Sequence, residues 1–239
     1  MKGSFKKLSV IIPALNEEKT IEELIQRVKR VSLLELEKEI VVVDDGSRDR
    51  TIEILKRMPD IRLVLHEKNR GKGAALKTGI THAGGDILLL QDADLEYNPE
   101  DYPVLLQPIL EGKAEFVMGS RFLFQKPRFF SADGDPFFSH YIGNQMIIRL
   151  TNFLYGQKMT DYEGCYKVFT KSLIQTIPIT ADGFAFDNEL ICKSLRRGYP
   201  LVEVPIQYYP RLYSQGKKIR WGDGVVMLWT ILKWRFLPF

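Results

Sequence analysis

The sequence predicts an α/β protein: a mostly parallel central sheet with helices on both faces, followed by an amphipathic C-terminal tail. Three observations carry that expectation. Short apolar runs alternate with longer segments of helical period, the pattern of successive βαβ units. Three of the runs stop in acidic turns, Pro13 to Glu17, Asp44 to Ser47 and Asp92 to Glu96, and parallel sheets bind ligands beyond the carboxyl ends of their strands. The chain of 239 residues is 45% hydrophobic and 27% charged, enough for one sizeable core and unlike a disordered chain.

Leu8 to Pro13 forms the first expected strand, stopped by proline. Asn16 is placed to cap a helix in which Ile21, Leu24, Ile25, Val28 and Val31 share one face. Ile40 to Val43 reads as a second strand, buried on both faces and ended by the turn residues Asp44-Asp45-Gly46-Ser47. A helix near Asp49, a strand over 61–65 and a helix from Gly71 through Ile80 follow. Ile87 to Leu90 is the fourth strand. A helix is expected from Pro99 to about Leu110, irregular at Pro103 and Pro108. A fifth strand covers Glu115 to Met118. Phe122 to Ser139 has no period and reads as a loop beside the site; its phenylalanines either pack on the domain or meet a greasy acceptor. A helix from Tyr141 to about Tyr155, a short strand from Tyr166, a helix from Ala185 stopped near Gly198 and a strand from Leu201 to Ile206 complete the order.

The sharpest chemical signal follows the fourth strand. If extended geometry continues past Leu90, Asp92, Asp94 and Glu96 point the same way. Three converging carboxylates repel one another unless a hard cation lies among them, and Mg²⁺ or Mn²⁺ suits carboxylate oxygens plus substrate phosphates. A polar loop or surface acid cluster is the plainer alternative, because Asp-x-Asp alone is common.

Other classes are set aside. Net charge is +4, too mild to indicate nucleic acid. Cys165 and Cys192 form no disulfide framework, which fits a reducing, cytoplasmic setting. Leu8 to Pro13 is too short for the apolar core of a secretion signal, and no run is long enough to span a bilayer. Gly71-Lys72-Gly73 fits neither a dinucleotide fingerprint nor a Walker sequence; Lys72 is expected to be solvated or near a phosphate. The histidines show no zinc spacing. From Pro205 onward, six basic residues face a single acid, and all three tryptophans lie there. As a helix, Gly224 to Phe239 would bury one face and lay Trp, Lys and Arg at a membrane surface; packing on the domain's own core is the alternative.

Taken together, Val10-Ile11-Ile12-Pro13-Ala14-Leu15-Asn16-Glu17-Glu18, Val41-Val42-Val43-Asp44-Asp45-Gly46-Ser47, Asn69-Arg70-Gly71-Lys72-Gly73, Asp92-Ala93-Asp94 and Gly119-Ser120-Arg121 resemble the family 2 inverting glycosyltransferases of the GT-A (Rossmann-like) fold. Thr160-Asp161-x-x-Gly164, Glu203-Val204-Pro205-Ile206 and Arg211 followed by Lys217 are similar to its polyprenyl-phosphate branch, typified by dolichol-phosphate mannose synthases. The resemblance implies that Pro13, Leu15 and Glu17 line the nucleotide, that Val43 and Asp45 hold the base, and that Asp92, Ala93 and Asp94 meet the donor diphosphate. It implies Asp92, Asp94 and Glu96 as metal ligands, Arg121 facing phosphate, and Arg211 and Lys217 closing over the diphosphate. Asp161 and Glu189 would stand near the transferred sugar and acceptor, as candidate bases for a hydroxyl acceptor.

The chain departs from the branch where the acceptor phosphate is gripped, with Pro136 and His140 at those positions. It departs again at Leu15 and over Tyr162 to Lys167. The expected division is a catalytic domain over 1–218 and an amphipathic segment over 219–239. The expected activity is metal-dependent transfer of mannose or glucose from a GDP- or UDP-sugar to a polyprenyl phosphate, on the cytoplasmic membrane face. A sugar-hydroxyl acceptor on a lipid-linked or cell-surface glycan is the alternative, and a non-catalytic membrane scaffold a third reading.

Overall fold

The computed structural model describes residues 5–33, 36–123, 138–210 and 221–239. The elements run β1 (Lys7–Ala14), α1 (Ile21–Arg30), β2 (Glu37–Asp44), α2 (Thr51–Lys56), β3 (Arg62–Leu65), α3 (Lys72–His82), β4 (Ile87–Leu90) and α4 (Tyr102–Leu110). They continue with β5 (Phe116–Ser120), α5 (Phe138–Tyr155), β6 (Lys167–Thr170), α6 (Lys171–Thr176), α7 (Phe186–Arg196), β7 (Leu201–Pro205) and α8 (Trp221–Phe236). A 3₁₀ turn at Pro99–Asp101 leads into α4, with the Asn98 side chain accepting the Glu100 amide.

The strands form one sheet in the order β3-β2-β1-β4-β6-β5-β7. All neighbours are parallel except β6, which runs antiparallel to β4 and to β5. The buried runs Val41–Val43 and Ile87–Leu90 are apolar on both faces because both faces are covered. On one side α1, α2 and α4 pack through Ile21, Leu24, Ile25, Val28, Leu55, Leu105 and Ile109. On the other α3, α5, α6, α7 and α8 pack through residues such as Leu76, Ile147, Leu173, Leu190 and Ile231. Each fully buried aliphatic side chain contributes about 1.5–3 kcal/mol, so these two layers dominate the stability. Gly79 lets α3 lie close on the sheet: a Cβ there would sit 2.4 Å from Cγ2 of Ile11.

One local expectation changes, a short helix is added, and the tail buries a face as expected. Asn16 does not cap α1, which starts after Thr20; with φ at 53°, it joins the β1 and β2 turns. Its side-chain oxygen accepts the Arg48 amide, and its own amide donates to the Ser47 hydroxyl. The six-residue helix α6 is too short to leave a readable period, and Thr170 caps it by accepting the Leu173 amide. The tail is part of the body: Met227, Ile231 and Trp234 of α8 join the core shared with α5 and α7. The Tyr155 hydroxyl donates to the Ile231 carbonyl.

The opposite face of α8 is exposed and apolar. Val225, Trp229, Leu232 and Phe236 recur at helical spacing on it, with Trp229 63% and Phe236 71% exposed. Neighbouring α5 exposes Ile142, Met146 and Phe153. No helix among the described residues is long and apolar enough to cross a membrane.

Candidate active site

The strand order reverses between β1 and β4, the switch point where parallel sheets open a crevice. Register fixes the edge: Ala14 pairs with Asp44, and Ile11 with Leu90. The Asp45 amide donates to the Ala14 carbonyl and the Gln91 amide to the Ile11 carbonyl. The three acidic turns therefore leave the sheet side by side. The start of antiparallel β6 and the ends of β5 and β7 extend the same edge, adding Cys165, Arg121 and Tyr208.

At the centre, Nζ of Lys72 lies 2.7 Å from Oδ1 of Asp92. The Asp92 amide points at Sγ of Cys165, 3.0 Å away. Burial pushes the Asp92 carboxyl up most strongly, but the Lys72 ammonium, the Cys165 hydrogen bond and the Lys167 charge together hold the group below its ordinary range. Burial likewise opposes the charge on Lys72, and Asp92 and Asp187 restore it. Burial pushes the Cys165 thiol well above its usual value, so it is not a thiolate nucleophile.

The predicted triad is only partly assembled. The chain leaves extended geometry after Asp92: Leu95 takes φ of 63°, and Oδ1 of Asp94 accepts the Glu96 amide. Side-chain alternation ends with the strand, so the expected common direction of Asp92, Asp94 and Glu96 does not hold. Glu96 meets the hydroxyl of Tyr208 at 3.2 Å. Among the described residues no three His, Cys, Asp or Glu side chains gather as a metal cage. Asp92 and Asp94 still offer hard oxygen donors at the crevice. Mg²⁺-type ions bind through one or two carboxylates plus substrate phosphates, so this donor set fits a metal that arrives with a diphosphate.

Arg121 is held by Asp161. Nε donates to Oδ2 at 2.7 Å, Nη2 to Oδ1 at 2.9 Å, and the Arg121 amide to Oδ2 at 3.1 Å. The guanidinium lies between the rings of Phe122 and Tyr208, 5.4 and 5.2 Å from their centroids. Burial opposes the Asp161 charge most strongly, but the charge and hydrogen bonds of Arg121, with the Lys167 charge, together depress the carboxyl. Glu203 fixes this loop by accepting the Thr160 and Asp161 amides. Asp161, expected as a base, is thus fully paired and too weak a proton acceptor for that task.

Glu189, the other expected base, is buried in α7. It accepts the Thr180 and Ala181 amides and an ion pair from Lys193 at 2.5 Å. Its helix turns it into the loop over 180–181, so its oxygens are committed to that loop and to Lys193. Sequence reading passed over its neighbours: Asp187 pairs with the buried Lys167 at 3.2 Å, and Asn188 donates to Glu163 at 2.9 Å. Burial pushes the Glu163 carboxyl up, against the opposing Lys167 charge and the Asn188 hydrogen bond. Asp187 stands two residues before Glu189 on the same helix start, and a charge pattern sought at spacings of three and four misses it.

The nucleotide positions divide. Pro13 and Leu15 are half-buried at the end of β1. Glu17 is buried, its carboxylate accepting the Thr20 hydroxyl. Val43 is fully buried beneath Gly79 of α3, so it offers a ligand only main-chain atoms. Ala93 is 4% exposed and similarly limited. Asp45 is turned inward: it accepts the Arg70 and Gly71 amides and meets Nδ1 of His66 at 2.7 Å. A base contact would have to reach a buried carboxylate that already accepts two backbone amides and meets His66. Arg211, Lys217 and Pro136 lie outside the described residues, as does the side chain of His140.

Residues 9–177 match the family described as glycosyl transferase family 2, and the chain belongs to that family. It is 31% identical over 205 residues to a low-salt glycan biosynthesis hexosyltransferase of Haloferax volcanii, covering 85% of this chain but only 48% of that protein. It is 28% identical over 248 residues to the UDP-N-acetylglucosamine–dolichyl-phosphate N-acetylglucosaminyltransferase of Methanococcus voltae, with 95% of each chain covered. Its fold is similar to glucosyl-3-phosphoglycerate synthase of Mycobacterium tuberculosis, solved with UDP. The TM-score is 0.75 at 21% identity, over 98% of this chain and 82% of that one. The architecture is the GT-A fold.

Proposed function

We propose that the chain transfers a hexose from a nucleoside diphosphate sugar to a polyprenyl phosphate, with inversion, at the cytoplasmic face of a membrane. The observation that carries this reading is the Lys72–Asp92 pair at the β1/β4 switch point, flanked by Asp94 and backed by Lys167. Such an edge suits a diphosphate whose negative charge grows as the sugar's C1–O bond breaks. Asp92 and Asp94 would hold Mg²⁺ or Mn²⁺, which would supply Lewis-acid stabilisation of the leaving diphosphate. Lys72 would neutralise a phosphate oxygen, while Pro13, Leu15, Glu17 and the Asp45 turn would enclose the nucleoside. Arg211 and Lys217 would close over the diphosphate.

An anionic phosphate acceptor needs no strong base, which agrees with the pairing of both Asp161 and Glu189. Arg121, oriented by Asp161, would face the incoming phosphate. The printed activity of the Methanococcus voltae relative supports a lipid phosphate as acceptor. UDP with Mn²⁺ or Mg²⁺ in the mycobacterial fold neighbours supports the donor and the metal. The outer face of α8 would rest on the membrane, Trp229 and Phe236 inserting and Arg235 remaining with headgroups.

A hydroxyl acceptor has one observation in its favour. Glu163, whose carboxyl burial pushes up and which meets Asn188, is a candidate general base for it. One assay separates the two readings. The protein is incubated with Mn²⁺ and a panel of GDP- and UDP-sugars, with and without polyprenyl phosphate. A sugar-lipid product that survives Glu163→Gln supports the phosphate acceptor; product only with hydroxyl acceptors, abolished by that change, overturns it.

A further inference from the structure

A cavity of about 340 Å³ lies between the loop over 180–185, the start of α7 and α8. Its apolar walls are Ala181, Phe184, Ala185, Val226, Trp229 and Trp234. The acids that line it are already paired. Glu189 holds Lys193, and Asp182 holds Lys77 at 2.6 Å. Lys233 has no carboxylate within ion-pair distance among the described residues, and its ammonium lies 4.3 Å from the Trp234 ring centroid.

The cavity has two distinct borders. Val226 and Trp229 also belong to the exposed apolar surface of α8. The loop on the other side presses against the first turn of α3. A Cβ on Gly71 would sit 2.4 Å from the Asp182 carbonyl oxygen, and one on Gly73 2.7 Å from that of Ala181. The Ala74 amide donates to the Asp182 carbonyl. That turn begins with Lys72, the partner of Asp92. The cavity thus lies between a lipid-suited surface and the backbone that carries the central lysine.

We infer that this cavity binds hydrocarbon, namely the first isoprenoid units of the lipid acceptor, entering past Val226 and Trp229. The inference rests on the lipid-phosphate reading above. The mostly apolar walls disfavour a sugar or nucleotide, most of whose hydroxyls would be buried against carbon without a partner. A peptide helix, about 10–12 Å across, is too thick for the space. A thin hydrocarbon chain fits it, and the Lys233 ammonium, without a carboxylate partner among the described residues, suits a chain that ends in an anion.

The test uses the full chain on phosphatidylcholine vesicles holding a polyprenyl phosphate with a photoreactive group on its first isoprene units. The expected crosslinks fall on peptides spanning 180–185 and 226–234. Val226→Trp narrows the mouth and keeps the surface apolar, so labelling of 180–185 should fall about tenfold, with sedimentation on vesicles retained. Crosslinks confined to Val225, Leu232 and Phe236, or labelling of 180–185 unchanged in Val226→Trp, would overturn the site. Sugar transfer without cavity labelling would remove this inference and leave the acceptor reading standing. Cavity labelling without sugar transfer to the lipid would do the reverse.

Discussion

The ammonium of Lys72 sits 2.7 Å from Oδ1 of Asp92, joining the first turn of α3 to the end of β4. Both side chains are 23% exposed, so the pair is sheltered yet open to a ligand. It keeps a carboxylate charged at the crevice and holds a cation where a diphosphate would arrive.

Lys72→Met should therefore weaken nucleoside diphosphate binding about tenfold to a hundredfold, the range for one charge-assisted hydrogen bond. Isothermal titration in Mn²⁺ measures this. Unchanged affinity would place the diphosphate elsewhere.

Asp94→Asn should abolish the metal-dependent part of nucleotide binding and leave the fold intact, because Asp94 lies in a turn beyond the strand. Titration with and without a chelator reads the difference. A wild-type affinity indifferent to chelator would remove the metal from the mechanism.

Breaking the Arg121–Asp161 pair should be costly. The Asp161 side chain is fully buried, and Asp161→Asn leaves the guanidinium without a counter-charge between two rings. Removing one member of a buried pair typically costs about 3–5 kcal/mol, measurable by urea denaturation. Arg121→Lys should also lose much of this stability, since an ammonium cannot reproduce the two-pronged contact.

Acid should destabilise the protein through the same groups. Asp92 and Asp161 both titrate below the ordinary carboxylate range in the folded state. A depressed folded pKa gives stability that is present above the unfolded value, about 4, and lost as pH falls through the folded value. Melting temperature followed downward from neutral pH should drop below about pH 4, and less steeply in Asp161→Asn.

Membrane contact should be separable from folding. Because the inner face of α8 fills the core, deleting the tail would expose that core, whereas Val225→Asp with Phe236→Asp alters only the outer face. The double variant should leave anionic liposomes in a sedimentation assay and retain nucleotide binding. Continued co-sedimentation would rule out the α8 surface as the anchor.

Much of this was legible in the chain. Period and punctuation placed β1 to β5 and their helices, since runs such as Val41-Val42-Val43 and Leu88-Leu89-Leu90 are solvable only as strands covered on both faces. The placement of Glu17, Asp45 and Asp92 at one edge followed from strand ends alone, and that of Arg121 from the family resemblance. What the order of residues left open was direction. Leu95 turns the chain after Asp92, so Glu96 faces Tyr208, and no local rule foretold that left-handed residue. Lys72 and Asp92 are twenty residues apart, and Lys167 and Asp187 likewise; a strand reversal and a helix start bring each pair together.

Hydrophobic period is enough to set the layers of this protein, because it acts over neighbouring residues and needs no knowledge of distant ones. It also sets which acids stand at the ends of the strands. Which charges meet emerges only in the folded chain: Asp161 and Glu189 are held by Arg121 and Lys193, and α8 buries one apolar face while showing another. Those outcomes depend on contacts between residues far apart in the chain, whose energies exist only once the sheet has brought them within a few ångströms.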